Sequence, residues 1–386
     1  MLLAFSLTLL VAVLLSERFQ RTILSATVLF LAVGFAIGPH ALGWTAIDPQ
    51  DGRVRALSTA ALVTSLFSDA LRLGWRDLRT AWRLPGRALI LGLPLTLAGL
   101  AAAARVVLGL PWIRALLVGA ILSPTDPVFA SAIVGRREIP ARLRHLLNVE
   151  SGLNDGLALP AVLVLMSVAS ADPWSGAALV RETAGGVLLG ALVGSLGGWV
   201  RRLPVFAVAD VIAPLHGFAL LLVSYAASTA LGLNEYLAAF SAGVAATTTC
   251  PQLQEEYEAF GERLSQLLKV GAVFLFAVML SSSEPAPSAR DVVFAVLALT
   301  VVRFAGLGAA LIGSGLTRAE RLAAIWFAPK GFASVIYGLM LLGTGVPGAE
   351  RLFEVVALVI VLSMFLHSST DVPVAKYFAR HADRAG

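Results

Sequence analysis

The chain has 386 residues, 58% of them hydrophobic and 14% charged, with a mean hydropathy of +0.84. A soluble domain carries roughly a quarter charged residues, so these proportions exclude a water-soluble globular fold and make the bilayer the expected solvent. The net charge of +5 comes with no run of like charge and no basic face interleaved with aromatics, which excludes a nucleic-acid partner. The single cysteine, Cys250, excludes an intramolecular disulfide and a Cys-based metal cluster, and the five histidines do not cluster. No Gly-rich phosphate loop is present, so neither ATP-driven transport nor a bound cofactor is expected.

A helix needs about 20 apolar residues to cross the hydrocarbon core. Runs of that kind predict an all-α polytopic membrane protein with thirteen spans, at 1–16, 22–44, 54–72, 88–109, 112–135, 147–169, 177–200, 203–230, 233–250, 264–282, 291–315, 319–343 and 351–370. The first reads as a membrane helix rather than a signal peptide, because it lacks a basic start and a convincing cleavage site. The eighth is interrupted near its start by Pro204, Asp210 and Pro214. With the N-terminus outside, nineteen of the 29 Lys and Arg fall in loops on the cytoplasmic side and seven on the other, while Lys269, Arg303 and Lys330 lie within spans. The predicted topology is therefore an external N-terminus and a cytoplasmic C-terminus in a bacterial-type inner membrane. No soluble domain is expected: 281–288 reads as a polar turn, 255–262 as a solvated cytoplasmic loop, and the residues after Pro373 as too few to fold alone.

Two spans echo each other. The fifth carries Ser123-Pro124-Thr125-Asp126-Pro127-Val128-Phe129-Ala130-Ser131, and the twelfth carries Ala328-Pro329-Lys330-Gly331-Phe332-Ala333-Ser334. Both break the helix with proline near mid-membrane and resume at Phe-Ala-Ser. They lie seven spans apart, an odd offset that gives them opposite orientations. Paired interrupted helices in inverted repeats point to a substrate site at their crossing. The alternative is two unrelated proline kinks.

Ionisable groups inside the membrane are costly and mark function. Asp126 precedes Pro127, which lacks an N–H and disfavours helical geometry at the residue before it. Freed carbonyls, the Thr125 hydroxyl and the Asp126 carboxylate make a hard-oxygen environment suited to an alkali cation. The plainer role for Asp126 is to cap the half-helix that follows. The sixth span opens with Asn148-Val149-Glu150-Ser151-Gly152-Leu153-Asn154-Asp155, which places Glu150 with Asn154, and Ser151 with Asp155, on adjoining helical faces. Glu150 requires a buried partner, Arg303 or Lys330, and is then structural. Asp155 has no evident partner unless Lys330 supplies it. A carboxylate so placed needs a counter-charge, which a proton or a metal cation supplies, one at a time. Asp69 is expected to meet Arg72 or a helix end, or to line a cytoplasmic funnel; Asp210, Lys269 and His216 read as structural.

These residues resemble the cation:proton antiporter superfamily, in its electroneutral sodium/proton exchanger branch. The resemblance rests on Gly38-Pro39-His40-Ala41-Leu42-Gly43 at the end of an early helix and on Leu66-Phe67-Ser68-Asp69-Ala70-Leu71. It rests also on Thr125-Asp126-Pro127, on Glu150-Ser151 followed by Asn154-Asp155, and on Arg303 and Lys330-Gly331 in two late helices. It implies that Asp155 is the main carrier of Na⁺, or of K⁺ or Li⁺, and of H⁺, with Thr125, Asp126 and Ser151 nearby. It implies that Asn154, where electrogenic relatives carry a second Asp, marks one-for-one exchange. It further implies a moving core (about 88–169 and 291–370) and a dimerisation scaffold (about 1–72 and 177–282) in a homodimer serving pH homeostasis. Lys330 departs from the branch, which has Arg there; a Lys is a point charge rather than a planar fork. Two other readings stand beside exchange. A sodium-coupled organic-anion symporter or a channel on a related fold needs a larger polar pocket than this sparse inventory suggests. An intramembrane aspartyl protease using Asp126 and Asp155 fits Thr-Asp-Pro poorly.

Overall fold

The computed structural model describes residues 1–19, 26–48, 50–72, 84–126, 139–170, 175–206, 208–282, 287–327 and 329–382. All regular structure among them is helical. Eight helices are long and apolar enough to cross a membrane: Gly52–Leu71, Pro85–Val107, Ala141–Ala169, Gly176–Arg201, Ala213–Ala230, Gln252–Ser282, Ala289–Ala310 and Ala349–Phe378. Shorter apolar helices occupy Leu2–Leu14, Ala26–Ile37, Trp112–Leu122 and Phe332–Leu342, and Glu235–Thr249 is a further helix. Among the described residues, each of the thirteen expected spans thus contains a helix. The second half of the fifth span, including Pro127, Val128, Phe129, Ala130 and Ser131, lies outside the described residues, as does Ala328.

The structure corrects several boundaries. The eighth span is helical only from Ala213; Pro214 sits in the first turn, where its missing N–H costs nothing, and the described residues 203–206 and 208–212 are irregular. The stretch 255–262 is not a loop but the first part of the 31-residue helix Gln252–Ser282. Its acidic residues are tolerated in a helix that has left the hydrocarbon region. The 281–288 turn is shorter than expected, since this helix continues to Ser282, and 283–286 lies outside the described residues. The eleventh span is broken at Thr300 and ends at Ala310, followed by a turn with left-handed glycines at Gly313 and Gly315. The last helix continues beyond Pro373 to Ala382.

Helices Gly176–Arg201 and Glu235–Thr249 show how the sequence permits close packing. Gly186, Gly190, Gly194 and Gly198 recur every four residues and are buried along one face. A Cβ at Gly190 would strike the Ala238 carbonyl, and one at Gly194 the Ala242 carbonyl. Two backbones in van der Waals contact gain dispersion where lipid offers no hydrophobic drive. Gly190→Leu is expected to destabilise the folded protein by about 1–3 kcal/mol through overpacking. Thermal unfolding in detergent reads this, with Gly52→Ala, where nothing lies within 4 Å of the added carbon, as the silent control.

Polar caps fix the helix ends. Asp51 accepts from the Arg53 N–H at 2.9 Å and caps Gly52–Leu71. The Arg53 guanidinium, hydrogen-bonded to its carboxyl, holds Asp51 down to about 2. Thr317 and Glu320 form a capping box that starts Arg318–Trp326, the half-helix that leads into the Pro329–Gly331 break.

Candidate functional site

Two helix interruptions meet inside the protein. Helix Trp112–Leu122 ends at Ser123, and Pro124, Thr125 and Asp126 continue without regular structure. Opposite them, Arg318–Trp326 stops and Phe332–Leu342 begins after Gly331. The Asp126 N–H donates to the Pro329 carbonyl at 3.0 Å, and the Phe332 N–H donates to Asp126 Oδ2 at 3.4 Å. The Asp126 carboxylate thereby lies at the positive end of a half-helix dipole. Ser334 Oγ donates to the Ile121 carbonyl at 2.7 Å, and the Lys330 N–H donates to Ser363 Oγ at 2.7 Å. The freed backbone groups of each break are satisfied by protein, which is what makes such backbone tolerable at membrane depth. The approach is close enough that a Cβ on Gly331 would collide with Asp126.

Helix Ala141–Ala169 packs its polar face against this crossing. Asn154 Nδ2 donates to Thr125 Oγ1 at 2.7 Å and to the Thr125 carbonyl at 3.1 Å, so the residue after Leu153 pins the first break. The Asp155 carbonyl accepts from the Tyr337 hydroxyl at 2.8 Å, tying the same helix to the far side of the second break. Glu150 pairs with Arg303 at 2.7 Å, both side chains about 5% exposed. Of the two candidates for that partnership, the structure selects Arg303. Lys330 lies beside this pair and feels the charges of Arg303 and Glu150; its Nζ has no hydrogen-bond partner among the described residues. Asp155 is 6% exposed, forms no ion pair among the described residues, and has its Oδ1 unpartnered there.

Asp155 does not face lipid. With Asp126, Ser151, Gly152, Asn148 and Val149 it lines a cavity of about 460 Å³, whose other walls are Asp69, Arg72, Gln254, Glu258, Glu262 and Lys269. The mouth is marked by Arg72 and Glu262, paired at 3.3 Å on the side expected to be cytoplasmic. A second cavity of about 350 Å³, lined by Gln50, Arg55, Thr59, Asn234, Glu235 and Thr344, enters from the opposite end and does not reach Asp155. A Thr59–Tyr236 hydroxyl contact of 3.1 Å lies in the wall of this second cavity, and the fully buried Tyr337 bonds the Asp155 carbonyl. The carboxylate cluster therefore faces the first cavity, and none of its aspartates lines the second.

The structure thus brings Asp155, Asp126 and Ser151 onto one cavity wall. Thr125 is buried behind them, held by Asn154, and Glu150, Arg303 and Lys330 form a charged group deeper in the bundle. Asp69 lines the cavity and accepts from Ser65 Oγ at 3.3 Å, while Arg72 turns to Glu262. Sequence reasoning set Lys269 aside as structural, and the fold places it in the cavity with the three aspartates. It also passed over Tyr337 and Ser363, whose hydroxyls serve the broken helices. The spacing of Glu258, Glu262 and Lys269 on one helical face was the available signal, hidden because 255–262 reads as a loop.

Comparison with known proteins follows the same lines. The chain matches the family described as sodium/hydrogen exchanger, transmembrane, over residues 5–377. It belongs to that family, and with its long apolar helices it is a multi-pass membrane protein. It is 27% identical over 385 residues to the K⁺/H⁺ antiporter NhaP of Alkalimonas amylolytica, a match covering 95% of this chain and 64% of that protein. It is 24% identical over 382 residues to the K⁺/H⁺ antiporter NhaP2 of Shewanella baltica, again covering 95% of this chain and 64% of the relative. The chain therefore spans less than two-thirds of the length of these relatives. Its fold is similar to that of the sodium proton antiporter MjNhaP1 of Methanocaldococcus jannaschii, with a TM-score of 0.79, 19% identity and 97% of each chain covered.

Proposed function

We propose that the chain is a secondary antiporter that exchanges a monovalent cation, Na⁺ foremost and otherwise K⁺ or Li⁺, for H⁺ by alternating access. The observation that carries this reading is Asp155, a buried carboxylate that has no fixed cation partner among the described residues and lines a polar cavity beside Asp126 and Ser151. Carrying a net charge through a low-dielectric seam is expensive. A carboxylate neutralised by either a proton or an alkali ion crosses cheaply, whereas the empty anion does not, and this asymmetry couples the two fluxes. Asp126 and Ser151 supply further oxygens, Thr125 and Asn154 hold the first break in place, and Glu150–Arg303 with Lys330 stiffen the core. The relatives named as antiporters of K⁺ or Na⁺ with H⁺ support the class of reaction. The cavity is lined by five carboxylates, Asp69, Asp126, Asp155, Glu258 and Glu262, which favours a cation over an organic anion.

In this reading the inward route is the 460 Å³ cavity and the 350 Å³ cavity is the start of the outward one. The broken helices belong to two inverted repeats. The core, about 88–169 and 291–370, shifts against a scaffold of about 1–72 and 177–282. The scaffold dimerises in a bacterial-type inner membrane, with the N-terminus outside and the C-terminus in the cytoplasm. No cofactor takes part; the ions are the cargo. The test is exchange in proteoliposomes. Internal pH is followed with a trapped dye while Na⁺, K⁺ or Li⁺ is added outside. Alkalinisation or acidification driven by at least one of these ions is expected, and silence to all three sinks the antiporter reading.

Asn154 carries no charge, so a single carboxylate on this helix titrates during transport. Exchange is therefore expected to be indifferent to membrane potential. Clamping the potential with K⁺ and valinomycin should leave the rate of Na⁺-driven pH change within about twofold. Strong voltage dependence would mean that Lys330 or Asp126 also carries a proton.

A further inference from the structure

The proposed ion site faces a positive charge that its own helices do not supply. Lys269 lies on Gln252–Ser282, outside the two broken segments and outside Ala141–Ala169, yet its side chain lines the same cavity as Asp69, Asp126 and Asp155. Its ammonium stands 5.3 Å from the centroid of the Phe332 ring. Phe332 is itself the residue whose N–H donates to Asp126. The ammonium is thus held over the first turn of the half-helix whose N-terminus donates to Asp126. It interacts electrostatically with Asp126, Asp69 and Asp155 and is opposed by Arg72. Glu258 and Glu262 face the cavity from its own helix, farther out. Gln252–Ser282 packs against Ala26–Ile37 and Gly52–Leu71, whereas Phe332 and Asp126 belong to the crossing. The contact therefore spans the seam between the two proposed moving parts.

We propose that Lys269 is a tethered counter-cation, occupying the electrostatic place of the transported ion when the inward-facing site is empty and competing with that ion for Asp126 and Asp155. This rests on the cation-site reading given above. A cluster of three carboxylates in a narrow cavity attracts a monovalent ion strongly, and an ion that binds too tightly is not released to the cytoplasm. A fixed ammonium in Coulombic range weakens that binding without closing the cavity. Because it sits on the opposite side of the seam, its influence is expected to fall when the core carries the carboxylates away, so the inward-facing site would release the ion more readily than the outward-facing one.

The experiment is equilibrium binding of radiolabelled Na⁺ to the purified full chain in detergent at alkaline pH. It compares the unaltered protein with Lys269→Met and Lys269→Arg, and uses Lys269→Gln where the Met variant does not fold. Removing one like charge from the wall of the same cavity is expected to tighten binding about tenfold in Lys269→Met or Lys269→Gln. Lys269→Arg, which keeps the charge and the stacking on Phe332, should bind as the unaltered protein does. A role confined to packing on Phe332 would instead leave affinity unchanged or weaken it in the neutral variants, and either result overturns the inference. If the unaltered protein binds no Na⁺, K⁺ or Li⁺, the cation-site reading fails and takes this inference with it.

Discussion

Asp155→Asn is expected to reduce cation-driven pH change in proteoliposomes to the level of empty liposomes, a loss of at least about a hundredfold, while the protein still folds. The two halves of that result have separate structural causes. The fold uses the Asp155 backbone, whose carbonyl accepts from the Tyr337 hydroxyl, and an amide of the same shape leaves that bond in place. Its side chain makes no ion pair among the described residues, so neutralising it removes no structural partner. Transport, in contrast, requires a group that exists in a charged and a neutral form, and asparagine has only the second. The measurement pairs the dye assay with thermal unfolding in detergent. An Asp155→Asn variant that exchanges normally would remove Asp155 from the mechanism.

The opposite pattern, large in stability, is expected at the Glu150–Arg303 pair. Glu150→Ala leaves the Arg303 guanidinium buried without its carboxylate, within electrostatic range of the buried Lys330. Breaking a buried pair by removing one partner costs about 3–5 kcal/mol, and the adjacent lysine places this case toward the upper end. Thermal unfolding should fall sharply in both Glu150→Ala and Arg303→Ala. The double variant Glu150→Met with Arg303→Met should recover much of the loss, because the desolvation cost of both charges disappears together. Equal and additive losses in the single and double variants would show that the two side chains do not act as a pair.

How much of this was legible in the chain itself follows from the physics of each signal. Hydropathy located a helix in every expected span, because twenty apolar residues in a row have few other uses. Proline marked both breaks: Pro124 and Pro329 lie where the helices stop, and the crossing they form is the one the Phe-Ala-Ser echo suggested. Helical spacing put Glu150, Ser151, Asn154 and Asp155 on adjoining faces. What the sequence could not convey was who meets whom across the bundle. Arg303 and Lys330 were equal candidates for Glu150, and only the folded bundle, which brings the Arg303 guanidinium to the Glu150 carboxylate, separates them. Lys269 read as an ordinary end-of-span charge because the acidic stretch before it resembled a loop. Hydropathy marks where a helix enters the bilayer, not where it begins, so Gln252–Ser282 appeared truncated and its polar face went unseen.

In the proposed exchange, the size of the cavity at Asp155 constrains how a proton reaches that side chain. One ion confined to about 460 Å³ corresponds to an effective concentration of about 4 M. Millimolar sodium therefore visits the chamber often enough to be captured directly. Free hydronium at neutral pH is about ten-thousand-fold scarcer than millimolar sodium, so the chamber almost never contains one. Protonation must then arrive by hand-over, from water molecules or from rim carboxyls such as Glu258 and Glu262 that collect protons from buffer. Sodium would enter as a particle and the proton as a relay, two kinetically distinct arrivals at one side chain.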